Sequence, residues 1–387
     1  MTSITFRTNA LIFSFALPTL ILAQDFEPGY IDPEPILAAA SAAIGEDRLS
    51  CISISGSAYT GMVGQQYINA YEVDWPRGKP LRNYNRLIDW ENVRMIETFD
   101  REPGNNPASW KYGLGWDSGM PVQKNEHQIF SLNGTHAWYQ DGGDALPVAA
   151  QPVDAERWQL DMWLTPHGFL KAARLPGANP VATWRWELGE MGRDGATVSP
   201  EKVTIVSITL MGKYRVDATI NSQNLLQRIH TWVPDPVLGD ANYEHEFANS
   251  DYVDIGNGIK FPTVWHHHTG WDDNYQAQSI NAGHNAFGGR QDNIAANVCP
   301  GEVEVPATVV TADFSEKVDI SDLGDGTYLY GGGSHNSVVI EFNDYIAVIE
   351  APLNESRNLA VIDEIVKHIP NKPIRFLINT HQHHDSI

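Results

Sequence analysis

The sequence predicts an α+β protein whose β structure falls in two unequal parts. Period-two alternation of apolar and polar residues dominates from Cys51 to Trp265. All 12 tryptophans lie between Trp75 and Trp271, which sets that region apart from the C-terminal part of the chain. From Ala312 the pattern becomes short strands, one helix and an unbroken apolar run. At 387 residues the chain has length for two or three domains, each able to bury a core.

Residues 1–23 carry one early cation, Arg7, an apolar stretch from Ala10 to Leu22, and Ala23 before a polar, breaking segment. This is a secretory signal peptide pattern, so the mature chain is expected to be exported, periplasmic or extracellular, and to start near residue 24. Past residue 25 no run of 18 apolar residues occurs, so no stable membrane span is expected after cleavage. Export permits a disulfide. Cys51 and Cys299 are either bridged or two buried thiols.

The β-rich region is expected over 24–300, a curved open sheet or half-barrel with a helix across it. Asp32 caps a first helix that Gly45 ends. Strands are expected at 51–58, 65–73, 92–99, 127–134, 202–210, 213–220, 224–232 and 259–265. Met211-Gly212 and Asn221-Ser222-Gln223 are tight turns that make the later strands an antiparallel meander. One helix runs from Asp154 to about Arg174, and Pro166 splits or kinks it. Gly, Pro and polar residues suggest a linker at 301–311.

Lys and Arg number 26 against 48 Asp and Glu, a formal net charge of −22. A nucleic-acid partner is therefore not expected, because phosphate binding needs clustered cations. The expected partner is a small molecule of unknown identity. Several motifs read as inert. Of His266, His267 and His268 only the first and third share a strand face, and solvent-facing histidines at a strand end are the simpler reading. His245-Glu246 opens an HExxH-like motif, but position 249 is Asn, which removes the second helical ligand. Asn133 and Asn354 head glycosylation sequons.

The last part, 312–387, reads as a strand near Gly326–Tyr330, a hairpin of 337–342 and 345–352, a helix from the Asn354 cap to His368, and an apolar strand at 374–380 of the kind buried on both faces. His381-Gln382-His383-His384-Asp385 follows that strand. Two imidazoles two residues apart and a carboxylate two further on suit zinc, which would lower the pKa of its bound water. The metal candidates are thus His381, His383 and Asp385, with Asp385 also the catalytic candidate.

Thr380-His381, His383 and Asp385, with Glu350 ending an inner strand, resemble the first metal motif of the metallo-β-lactamase-fold superfamily. Asn133–Trp138, Leu164–Phe169 and Lys260–Thr263 resemble stretches of exported members with a β-rich N-terminal extension. The resemblance implies an αββα sandwich, of which 312–387 would be the first half, one or two Zn2+ ions, and hydrolysis by a bridging hydroxide. Position 386 is Ser where the motif usually has His, and the chain ends at Ile387 before the remaining family ligands. The expectation is therefore a truncated hydrolase fragment, inactive by itself. Two other readings stand beside it. One is a non-catalytic exported protein holding an apolar or carbohydrate ligand in the β-rich domain; the other is a metal-dependent protein, such as an oxidoreductase, on the same fold.

Overall fold

The computed structural model describes residues 31–61, 63, 77–101, 125–141, 149–150, 152–188, 200–235, 239–247, 251–270, 284–313, 315–333 and 335–381. The signal peptide and the strand expected at 65–73 lie outside the described residues.

The first group of strands is β1 (Cys51–Gly61), β2 (Arg77–Asp89), β3 (Arg94–Arg101), β4 (Glu126–Asn133), β5 (His136–Asp141), β6 (Ala149–Ala150), β7 (Val181–Leu188), β8 (Pro200–Leu210), β9 (Tyr214–Ile220) and β10 (Leu226–Asp235). Then come β11 (Gly239–Glu246), β12 (Tyr252–Asp254), β13 (Lys260–Pro262), β14 (Val264–Gly270) and β15 (His284–Ala296). The C-terminal group is β16 (Asp319–Gly324), β17 (Thr327–Gly331), β18 (Ser337–Glu341), β19 (Ile346–Ile349) and β20 (Ile374–Ile378). The helices are α1 (Pro33–Ile44), α2 (Pro152–Trp163), α3 (Pro166–Ala172), α4 (Ala307–Val310) and α5 (Glu355–His368).

Among the described residues one antiparallel sheet of 13 strands holds the first region together, in the order β6-β5-β4-β3-β2-β1-β15-β14-β11-β10-β9-β8-β7. It is open, with β6 and β7 as its edges. The meander β7 to β10 forms as the tight turns require: Met211 and Gly212 both take positive φ, and Asn221 Oδ1 accepts from Gln223 and Leu225 amides. The apolar run at 259–265 is not one strand but β13 and β14, which divide at Thr263.

One face of the sheet carries α1, α2 and α3 over the main core, which includes Leu37, Ile44, Ile52, Trp90, Met162, Phe169, Ile229 and Phe261. Asp32 caps α1 by accepting from the Glu34 amide at 3.1 Å. Gly45 ends it at φ +66, where a Cβ would lie 2.5 Å from the Gly258 carbonyl oxygen. Pro166 splits the long helix: Thr165 closes α2 and caps α3, accepting from the Gly168 amide at 3.2 Å. Between the helices and sheet, buried Glu46 accepts from Ser41 and Lys171 at 2.9 Å each and also pairs with Arg174. Burial alone would raise its pKa; these partners outweigh that and hold it low.

His167 is fully buried, stacked against Phe261 at 5.5 Å and near Trp90 at 6.2 Å. Burial lowers its pKa to about 3. Its folded value is below its unfolded one, so its contribution is complete above pH 6.5 and lost as pH falls toward 3. Acidification from pH 6.5 to 5 is expected to remove up to about 2 kcal/mol more from the wild type than from His167→Asn, measured by urea unfolding at both pH values. Equal losses in the two proteins would show that His167 is not buried in its neutral form.

Cys51 and Cys299 form a disulfide that joins the start of β1 to the segment after β15. The bridge fits an oxidising compartment. The segment beyond it stays on the sheet: Val303 and Val309 pack on Trp138, and Asn133 Nδ2 donates to the Val303 carbonyl at 2.6 Å. No described helix is long and apolar enough to cross a membrane.

The C-terminal part corrects the expected half of an αββα sandwich. It is a single mixed sheet, β16-β17-β18-β19-β20, with β20 parallel to β19. Tyr330, Val339, Ile346 and Val348 pack against Val361, Ile365 and Ile369 of α5 and its end. β20 is not buried on both faces: Phe376, Leu377 and Ile378 are each about half exposed. At the sheet edge it has only β19 beside it, so an apolar run does not by itself secure burial. Helix α5 turns the face that carries Arg357, Val361 and Ile365 inward. Leu359, Ile362 and Val366 are exposed, while Arg357 is buried and donates to the Lys317 and Gly331 carbonyls.

Candidate functional site

The site grows from two motifs that look inert when read separately. β11 and β14 are neighbours, and their register sets His245 opposite His267, Glu246 opposite His266, and Glu244 opposite His268. Alternation then sorts these residues onto two faces. His245 and His267 lie on the helix-bearing face; Glu244, Glu246, His266 and His268 lie on the other. Sequence reasoning places His266 and His268 together correctly but misses their cross-strand carboxylates. They are also not simply solvent-facing, since His268 is buried.

On the helix-bearing face, α2 delivers Asp161 to the two imidazoles. Asp161 accepts from Tyr243 Oη and lies 3.2 Å from His245 Nε2. Beside it is a cavity of about 180 Å³ lined by Arg86, Glu97, Arg157, Asp161, Tyr243, His267 and Phe287. Arg86 comes from β2 and Glu97 from β3, at 3.5 Å from each other. Arg157 lies over the Tyr243 ring and pairs with Asp235 at 3.0 Å. Tyr84 donates to Glu97 at 3.0 Å. Arg86 Nη2 and the Trp265 indole nitrogen are buried without a hydrogen-bond partner among the described residues.

The charges in this cavity are held in definite states. Burial would raise Asp161, but the His245 hydrogen bond, the neighbouring His267 ring and the Arg86 charge keep it well below the usual carboxylate range. Burial raises Glu97, and Arg86 only partly offsets it. Burial, then the neighbouring His245, pushes His267 well down, so it is neutral near pH 7. Burial would lower Arg86, yet Tyr84, Glu97 and Asp161 keep it protonated. The site thus offers two guanidiniums, two carboxyl groups, an imidazole, a phenol and a phenyl face.

Among the described residues two clusters have the donor sets to hold a metal ion: Asp161, His245 and His267 on one face, and Glu246, His266 and His268 on the other. In each, the ligand atoms lie within 4.8 Å of one another. Their ring geometry differs. His245 and His267 stack at 3.6 Å with planes 10° apart, whereas His266 and His268 stand at 82°. Imidazole lone pairs lie in the ring plane, so stacked rings do not aim at one point and crossed rings do.

Of the residues expected from the sequence to bind metal, the structure describes only His381, which is in neither cluster. His381 is exposed at the end of β20, where its Nδ1 is 2.9 Å from Thr380 Oγ1. The Thr380 amide donates to Glu350 at 2.5 Å. His383 and Asp385 lie outside the described residues.

No family model matches the chain, and no curated protein matches it. Similar solved structures include a DUF1329 family protein from Desulfovibrio piger, with TM-score 0.35 and 12% identity. Others are a putative outer membrane lipoprotein-sorting protein domain from Vibrio parahaemolyticus, at 0.33 and 10%, and a LolA superfamily protein from Nitrosomonas europaea, at 0.33 and 12%. Each match covers 70% of this chain and 96% of the other. Scores this low are no basis for a functional assignment. The C-terminal sheet is a single layer among the described residues, not part of a two-layered sandwich. The resemblance to metallo-β-lactamases is thereby corrected, and with it the expected zinc hydrolase and its bridging hydroxide.

Proposed function

We propose that this chain is an exported, non-catalytic binding protein whose ligand is a small polar molecule of carbohydrate type. The observation that carries this reading is the cavity on the helix-bearing face. Its volume of about 180 Å³ equals roughly six waters at about 30 Å³ each, which is room for one sugar ring. Its lining alternates charged hydrogen-bonding groups with Tyr243 and Phe287. Guanidinium and carboxylate groups satisfy vicinal hydroxyls, and aromatic faces cover the C–H side of a ring. An apolar ligand would desolvate these charged groups further and give Arg86 Nη2, which has no hydrogen-bond partner among the described residues, nothing to donate to.

The disulfide and the signal peptide pattern support a periplasmic or extracellular location. Zinc is the ion we assign to the imidazole–carboxylate clusters, on donor chemistry alone. His381, His383 and Asp385 stand as a proposed third metal-binding group at the end of β20, separate from hydrolysis. The divisions at 24–300, 301–311 and 312–387 are likewise proposals.

The ligand reading is tested by melting the mature protein with a panel of neutral hexoses, hexuronic acids and amino sugars. At least one is expected to raise the melting temperature, and Glu97→Gln is expected to weaken it at least about tenfold, since a hydrogen bond to a charged group contributes about 1.5–3 kcal/mol. Flat responses to the whole panel, or equal responses in the variant, would reject a sugar in this cavity.

A further inference from the structure

The face opposite the cavity holds an arrangement that ligand binding does not use. Glu244 and Glu246 stand two residues apart on β11, with His266 and His268 beside them on β14. His268 Nε2 is 3.2 Å from Glu246 Oε2. The ligand atoms of Glu246, His266 and His268 converge within 4.8 Å, and the two rings are nearly perpendicular. Glu244 is 4% exposed, and its Oε1 has no hydrogen-bond partner among the described residues.

The charge balance points the same way. The cation beside these two carboxylates is Arg228, which faces Glu246 across the ladder. It is shared: it pairs with Glu187 and lies 3.9 Å from Glu244. A buried carboxylate oxygen without a donor costs free energy that a directly bound cation removes. Gly288, opposite His266, admits the Tyr59 ring; a Cβ there would lie 2.4 Å from that ring. The phenol thus walls the histidine side of the cluster.

We propose that Glu246, His266 and His268 bind one divalent transition-metal ion on this face, with Glu244 as the fourth donor. Two imidazoles and two carboxylates suit zinc and its neighbours and not calcium or magnesium, which take oxygen ligands. Tetrahedral bonds of about 2.0–2.1 Å draw donor atoms to roughly 3.4 Å apart, a contraction within reach of side-chain rotation. The ion would clamp β11 to β14 directly behind the cavity wall. The cavity cluster is the weaker metal candidate, because its imidazoles are stacked.

The test uses the full mature protein, stripped with EDTA, dialysed and titrated with Co2+. The first and tightest equivalent is expected to bind here and give the intense visible bands of a tetrahedral site. His266→Ala and Glu246→Gln should each weaken binding at least about a hundredfold, since four ligands become three or a charged donor becomes neutral. His245→Ala should leave it within a few-fold. Glu246→Gln conserves volume at a part-exposed position, so it reports even if a histidine variant does not fold. No Co2+ bound by the wild type, or binding removed by His245→Ala and kept in Glu246→Gln, would overturn the assignment. Sugar binding is read separately, so either proposal can fail without the other.

Discussion

Asp161→Ala is expected to lower the unfolding free energy by about 3–5 kcal/mol, the range for removing one member of a buried charge network. The residue is a single carboxylate from α2 that accepts from Tyr243, contacts His245 and offsets Arg86. Arg86 is 2% exposed, so without Asp161 its charge rests on Glu97 and the neighbouring phenols. Tyr243 is also buried and would lose its acceptor. Asp161→Asn keeps an acceptor and removes only the charge, so its loss should be clearly smaller. Urea denaturation of both variants measures this, and the same proteins should lose sugar binding. An alanine variant within about 1 kcal/mol of wild type would show that the network does not hold α2 to the sheet.

The second large effect concerns the Cys51–Cys299 bridge. It closes a separation of 248 residues, between the start of β1 and the segment beyond β15. Cys51→Ser with Cys299→Ser is expected to cost about 2–5 kcal/mol. β1 and β15 also pair along an antiparallel ladder, so the strands should stay matched in the folded protein. The loss should therefore appear in melting temperature with little change in far-UV circular dichroism at 25 °C. A double variant that melts with the wild type would show the bridge to be redundant.

Much of the fold is legible in local pattern. Asp32, Thr165 and Asn354 each cap a helix, and Pro166 divides the one between β6 and β7. What local pattern does not carry is long-range. β11 reads Gly-Asp-Ala-Asn-Tyr-Glu-His-Glu, poor in the branched residues that mark strands, so nothing in it signals a strand. Without that strand, His267 has no visible partner and His245 looks like a broken motif. Register across strands 22 residues apart brings them together, and register is not a local property.

The C-terminal part shows the opposite error. Leu359, Ile362 and Val366 recur at helical spacing, but so do Arg357, Val361, Ile365 and Ile369. The helix buries the second set because Arg357 finds two backbone carbonyls. Preferring an apolar stripe over one containing a guanidinium is sound on average and wrong where the charge is satisfied. The His381–Asp385 motif is likewise persuasive through its neighbours, the expected buried strand above all. β20 is an exposed edge, so the context that gives the motif its weight is absent.

The cavity beside Asp161 is proposed to hold a ligand without transforming it. Isothermal titration of the mature protein with the sugar that most raises its melting temperature, followed by proton NMR of the same sample over several days, tests this most directly. The account predicts one site per chain, at least about tenfold weaker binding in Glu97→Gln, and ligand recovered unchanged. Steady conversion of the ligand, abolished by Asp161→Asn, or heat of binding that Glu97→Gln leaves untouched, would contradict it.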